Sequence, residues 1–163
     1  MDRFNLAHRI SRTQDRLFDR LRDRRAAAAA ASPGTAETFD SLLGAEYALV
    51  VTFRRPGAPI PTPMWFGLVT GRMYLESLAD AGKVKRLRHD PHVRVAPCTV
   101  RGKPTGPFAE GLGRVLGADE GEAAESALDR HYGLRRRVYR RFGRRLGVQS
   151  VYLELAPTAE AGT

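Results

Sequence analysis

The chain has 163 residues with a single cysteine, and its 27 lysines and arginines against 18 acidic residues give a formal charge of +9. This length suits one domain that buries a core without metals, and one cysteine excludes an internal disulfide and fits a reducing compartment. The basic balance favours an anionic partner such as a nucleic acid, an acidic membrane surface or a phosphorylated small molecule.

The N-terminal part, residues 1–34, is predicted to be a helical arm and linker. Apolar residues recur at helical spacing from Ile10 to Leu21, and an alanine run follows before "SPG" ends the helix. We expect residues 1–31 to pack on the domain or on a second subunit, with partial disorder as another reading. Contact with a membrane surface is the alternative because the polar face is basic, but acidic residues on that face argue against it. No stretch reaches the ~20 apolar residues of a membrane span and the start is no secretory signal, so the cytoplasm is the expected location.

Residues 35–157 are predicted to form the domain and residues 158–163 a disordered tail. A short helix capped by Thr38 precedes the first strand. Two prolines in the second strand cannot donate to a ladder, so that strand should lie at an edge, a bulge or a ligand. "TGR" (70–72) closes a hairpin. The six predicted strands are 46–55, 60–69, 73–77, 92–98, 107–117 and 148–157.

Three helices are predicted after the third strand. The first, 81–90, carries four cations within six positions, with Val84 and Leu87 facing inward. The second is 119–133, and the third, 134–147, is basic and amphipathic. Its arginines suit a solvated face, with contact to an anionic partner as the alternative. Hairpins of short strands predict a small, mainly antiparallel barrel with helices packed outside.

Side-chain chemistry is sparse in this sequence. It has no glycine-rich dinucleotide fingerprint and no phosphate loop, and its four histidines are scattered. Cys98 is interpreted as a buried small hydrophobe. Hydrolysis by a triad or a zinc site is therefore poorly supported, and an enzyme of this kind needs a cofactor to carry the chemistry.

From about Leu42 to Leu155 the chain resembles the pyridoxamine-phosphate-oxidase-like split β-barrel family. It looks most like the branch of oxidoreductases that depend on deazaflavin (coenzyme F420). Related branches use FMN or bind haem. The matching pieces are "PTPMWF", "YLES", "GKVKRLRHDP", "VRVAPC" and "RGKPTGPFAEG".

The resemblance implies a cofactor site around the short basic helix. Lys83 would pair with the cofactor phosphate, Ser77 would hydrogen-bond near it, and the amides around Gly82 would favour the anion. Lys85 and Arg86 would steer or clamp the rest of the acidic tail. Relatives often have a hydroxyl residue where this chain has Ala81. Four further residues would approach the ring: Thr62, Pro63, Met64 and Trp65.

The function implied is hydride transfer from reduced F420 to an unsaturated small organic substrate. The resemblance also implies a homodimer, and Tyr74 is a weak candidate for the proton donor. One alternative keeps the fold with FMN, for which Lys85 and Arg86 should matter less than Lys83. Another is a non-enzymatic basic binding protein, although no nucleic-acid partner is expected. For each predicted contact residue a plain structural role remains open: Lys83 on a solvated helix face, Trp65 in the core or a dimer interface.

Overall fold

The computed structural model describes residues 28, 30–55, 57–133 and 149–159. Seven strands form one sheet in which every neighbouring pair is antiparallel. The strands are β1 (Tyr47–Arg54), β2 (Ala58–Met64), β3 (Gly67–Val69), β4 (Arg72–Leu78), β5 (His92–Cys98), β6 (Ala109–Val115) and β7 (Ser150–Pro157). The helices are a 3-10 turn (Asp40–Leu42), α1 (Gly82–Leu87) and α2 (Gly121–Tyr132).

The strand order makes the sheet a split barrel. The order is β2-β1-β5-β6-β7-β4-β3, so β2 and β3 are the two edges. Yet only Trp65 and Phe66 separate these edge strands along the chain. The sheet must therefore curl until its edges come side by side, which confirms the predicted antiparallel split β-barrel. The edge position predicted for the proline-containing strand is also confirmed.

The predicted strand 60–69 is wrong in one respect, because it is two strands. The backbone N–H of Phe66 donates to the hydroxyl of Tyr132 at 3.1 Å and not to a sheet partner. This long-range contact breaks the ladder between β2 and β3. The predicted hairpin at 70–72 is confirmed: Thr70 and Gly71 have φ of 48° and 76°, as a two-residue type I′ turn requires.

The short helix predicted near Thr38 is a single 3-10 turn. Phe39 occupies its N-cap position without a side-chain hydrogen bond. The Thr38 hydroxyl accepts a hydrogen bond from the Asp40 N–H at 3.4 Å. The cap prediction is therefore wrong by one residue, because Phe39 turns its ring into the core and is 2% exposed.

The barrel core follows from the alternation of side chains along the strands. Ala48 and Val50 on β1 point inward and pack with Met73 and Leu75 on β4. On α1, Val84 and Leu87 join the same cluster, as predicted. These two residues anchor α1 against β1 and β6, so α1 covers one end of the barrel.

The N-terminal segment is tied to the outside of the barrel. The Arg94 guanidinium donates to the Ala30 and Ser32 carbonyls at 3.0 and 3.1 Å and to Glu110 at 2.7 Å. The same Glu110 oxygen accepts the Gly34 N–H at 2.8 Å. Most of the predicted arm, and the basic helix 134–147, lie outside the described residues. No described helix is long and apolar enough to cross a membrane.

Candidate cofactor-binding site

Two hydroxyl side chains are buried at the α1 end of the barrel. Thr52 on β1 is 3% exposed and Ser77 on β4 is 6% exposed, and within the described part of the chain they are the buried polar residues. Both follow the inward alternation of their strands, Thr52 after Val50 and Ser77 after Leu75. Burial makes a hydroxyl costly unless it is hydrogen-bonded, so both need partners.

Helix α1 supplies a cation to each buried hydroxyl. The Lys83 Nζ donates to Ser77 Oγ at 3.5 Å. The Arg86 Nε donates to Thr52 Oγ1 at 2.8 Å. Residues three apart lie on one side of a helix, so α1 presents both cations to the barrel rim. The structure thus brings the predicted Lys83, Ser77 and Arg86 into one cluster.

Gly82 begins α1 beside this cluster. A Cβ built on Gly82 would stand 2.9 Å from the Arg86 Nη1, so the guanidinium lies across the first turn of the helix. Ala81 at the N-cap makes no side-chain hydrogen bond. Hydroxyls from β1 and β4 therefore lie near this end of α1, while the capping position itself provides none.

The other predicted contact residues do not share one face of the barrel. Lys85 is exposed on α1. On β2, Thr62 and Met64 pair with the inward residues Val50 and Ala48, so they share the interior face. Pro63 pairs with Leu49, whose side chain belongs to a separate outer cluster.

Trp65 follows β2 and stacks on the ring of Tyr132, with centroids 5.0 Å apart. Tyr132 in turn donates to the Glu46 carbonyl and accepts the Phe66 N–H. One face of the Trp65 ring is therefore engaged with α2. This packing fixes where the Trp65 ring sits.

Sequence reasoning missed Thr52 as a site residue. The signal was present, because Thr52 continues the inward series of Ala48 and Val50 as a hydroxyl in an otherwise apolar alternation. Its partner Arg86 is 34 residues away. No local pattern indicates that contact.

Two other reactive side chains lie outside the cluster. Tyr74 packs with Leu116 and Ala124. Burial raises the pKa of its hydroxyl, and the Glu154 carboxylate beside it raises that pKa further. Burial likewise raises the pKa of the Cys98 thiol to about 12. Both groups keep their protons at neutral pH and neither belongs to the interior cluster of the barrel.

No group of acidic, histidine or cysteine side chains that suits a metal ion occurs among the described residues. A depression of about 190 Å³ lies between the 3-10 turn and α2, lined by Leu42, Leu68 and His131 among others. None of the predicted cofactor residues lines it.

The chemistry of the cluster fits an anion. Two cations, each held by a buried hydroxyl, and the first amides of α1 form a donor-rich set. Charge-assisted hydrogen bonds to phosphate or carboxylate oxygens are stronger than neutral ones. The residues present therefore suit the anionic part of a phosphorylated cofactor.

No model of a protein family matches the chain, and no curated protein matches it either. Three solved structures are similar in fold. A conserved hypothetical protein from Mycobacterium tuberculosis is 17% identical, with 78% of this chain and 86% of that chain covered and a TM-score of 0.54. An FAD-binding protein from Mesorhizobium loti is 13% identical, with 72% and 83% covered and a TM-score of 0.52. A haem-binding protein from Mycobacterium smegmatis is 17% identical, with 83% and 51% covered and a TM-score of 0.53.

These likenesses define the class of protein by its fold alone. The chain has the architecture of the split β-barrels. Two of the similar proteins are named for the ligand they bind, one for FAD and one for haem. The fold by itself therefore does not select the cofactor.

Proposed function

We propose that the protein is an oxidoreductase that uses reduced coenzyme F420 to transfer a hydride to an unsaturated small organic substrate. The observation that carries this proposal is the paired arrangement at the barrel end, Lys83 on Ser77 and Arg86 on Thr52. A deazaflavin cofactor carries a phosphodiester and an acidic glutamate tail. Two cations with different hydrogen-bond partners match two anionic groups on one ligand.

Different residues contact the phosphate, the acidic tail and the ring of the cofactor. Lys83, Ser77 and the Gly82 amide hold the phosphate, and Arg86 holds the next acidic group. Lys85 is exposed and steers the polyanion toward the site. Ring contacts come from four consecutive residues: Thr62, Pro63, Met64 and Trp65.

When bound, the reduced cofactor supplies the hydride. The chain orients the ring and the substrate and keeps water from the reacting atoms. The proton comes from solvent, because Tyr74 packs beneath α2 with its pKa raised and its hydroxyl bonded to Glu154. The protein acts as a homodimer in this proposal, which light scattering of the purified protein tests.

A second candidate is an FMN flavoprotein with the same fold. The Lys83–Ser77 pair alone suits a terminal phosphate, and an FAD-binding protein is among the similar structures. FMN has no acidic tail, so Arg86 and Lys85 contribute little in this case. Haem is less suitable, because the cluster of Thr52, Ser77, Lys83 and Arg86 has no histidine to bind iron.

The test is a fluorescence titration of the apo-protein with F420 and, separately, with FMN, repeated for Lys83→Ala and Lys85→Ala. We expect micromolar F420 binding, at least a tenfold loss in Lys83→Ala, and a smaller, salt-dependent loss in Lys85→Ala. Lys85→Ala is the comparison variant, since Lys85 lies on the same helix but is exposed and acts only by steering.

Tighter binding of FMN than F420, insensitive to Lys85→Ala, would select the flavoprotein instead. Binding of neither cofactor would exclude both candidates. DNA retention that falls steeply with salt would then favour a basic binding protein.

A further inference from the structure

Thr52 accepts a hydrogen bond from Arg86 at the barrel rim. We propose that Thr52 is a positioning residue that sets ligand specificity by holding Arg86 across the first turn of α1. The ligand class it selects is a phosphate ester that carries a further acidic group. This inference rests on the proposed function, since it requires the site to bind an anionic cofactor.

The hydroxyl of Thr52 is held in place by the barrel. Thr52 pairs with Ile60 on β2 and with Val93 on β5, so its backbone is locked between two strands. A β-branched side chain in a strand has few rotamers, and this one is 3% exposed. The acceptor for Arg86 is therefore in place before any ligand arrives.

The bond to Thr52 determines how the guanidinium points. Thr52 Oγ1 accepts a hydrogen bond from Arg86 Nε at 2.8 Å. This bond occupies the edge of the guanidinium that faces the barrel. Nη1 then lies over Gly82, where any side chain would meet it at 2.9 Å. The Thr52 hydroxyl holds one edge of the guanidinium, and Gly82 leaves room for the other edge because it has no side chain. Together they set the plane of the guanidinium at the start of α1.

The two cations of this helix turn are bonded to different strands of the barrel. Lys83 is held at Ser77 and Arg86 at Thr52, on strands that are not neighbours in the sheet. A ligand with two acidic groups can accept hydrogen bonds from Lys83 and from Arg86 at once. A ligand with a single phosphate at Lys83 leaves Arg86 unused.

The test compares Thr52→Val, which removes the hydroxyl and keeps the shape, with Thr52→Ser, which keeps the hydroxyl. Dissociation constants are measured for F420 and FMN. We expect Thr52→Val to bind F420 about tenfold more weakly and FMN within about twofold of the wild type. Thr52→Ser should recover F420 binding, and Gly82→Ala should lose it, because its methyl group displaces the guanidinium.

A double-mutant cycle separates positioning from a general structural effect. If Thr52 acts through Arg86, then Thr52→Val adds no further loss in an Arg86→Ala background. Equal weakening of both ligands, or additive losses in the cycle, would overturn the proposal. So would wild-type affinity of Thr52→Val for F420.

Two outcomes distinguish failure of the Thr52 proposal from failure of the proposed function. If Lys83→Ala loses F420 while Thr52→Val does not, the Thr52 proposal fails and the proposed function stands. If the wild type binds neither ligand, both fail. Thermal unfolding of each variant confirms that it is folded at the titration temperature.

Discussion

Replacing Tyr132 with phenylalanine should destabilise the fold through a single backbone group. The Tyr132 hydroxyl accepts the Phe66 N–H at 3.1 Å and donates to the Glu46 carbonyl. Phe66 is 0% exposed, so its N–H would lose its partner without water to replace it. An orphaned buried donor costs about 1–3 kcal/mol, while the carbonyl of exposed Glu46 is resolvated at about 0.5 kcal/mol. We expect the free energy of unfolding to fall by about 1.5–3.5 kcal/mol.

Urea unfolding followed by circular dichroism measures this loss. The matched control is Tyr47→Phe, because Tyr47 is half-buried and its hydroxyl makes no hydrogen bond within the described part of the chain. That control should change stability by less than about 0.5 kcal/mol. If Tyr132→Phe were no more destabilising than the control, the hydroxyl would not hold the corner between β2 and β3.

Three further outcomes follow from the described contacts. Gly67→Ala should cost about 3 kcal/mol in urea unfolding, since its Cβ would lie 2.5 Å from the Ala127 backbone; unchanged stability would contradict that approach. The folded chain keeps the Cys98 proton up to a pKa of about 12, whereas the unfolded chain loses it above roughly 8.5. Stability measured in urea should therefore fall from pH 9 to 12 more in the wild type than in Cys98→Ala, and parallel curves would argue against a buried thiol. Arg94→Ala should release residues 30–34 and speed limited proteolysis there. The loss of stability should be only about 1 kcal/mol because the ion pair with Glu110 is partly exposed. Cleavage at the wild-type rate would show that the segment is held by other contacts.

Features that depend on neighbours in the chain were readable from the sequence. Alternation over 92–98 predicts β5 with its observed bounds, and 119–133 predicts α2 to within two residues at its start. The prolines of 60–69, which lack an N–H to donate, predict a strand at an edge, a bulge or a ligand, and β2 is an edge strand. Local geometry and backbone hydrogen-bonding capacity determine these features, so no tertiary information is needed.

The candidate site likewise combines one contact between residues close in the sequence and one contact between residues far apart in it. Lys83 and Ser77 are six residues apart across one tight connection, so their proximity was within reach of the sequence. Thr52 and Arg86 meet only because the register of β1 against β5 turns the hydroxyl toward α1. Register over such a separation is decided by packing of the whole barrel, which no local pattern encodes.

The sequence by itself determined the class of the elements, a mainly antiparallel barrel and a basic helix suited to an anion, and the family resemblance implied that the barrel is split. The tertiary structure decided that 60–69 is broken at Phe66, because that N–H donates to the Tyr132 hydroxyl on α2. It also decided that Arg86 is held against the barrel while Lys85 faces solvent. The physical reason is that composition and periodicity specify what each segment can form, whereas burial and long-range hydrogen bonds select which side chains meet.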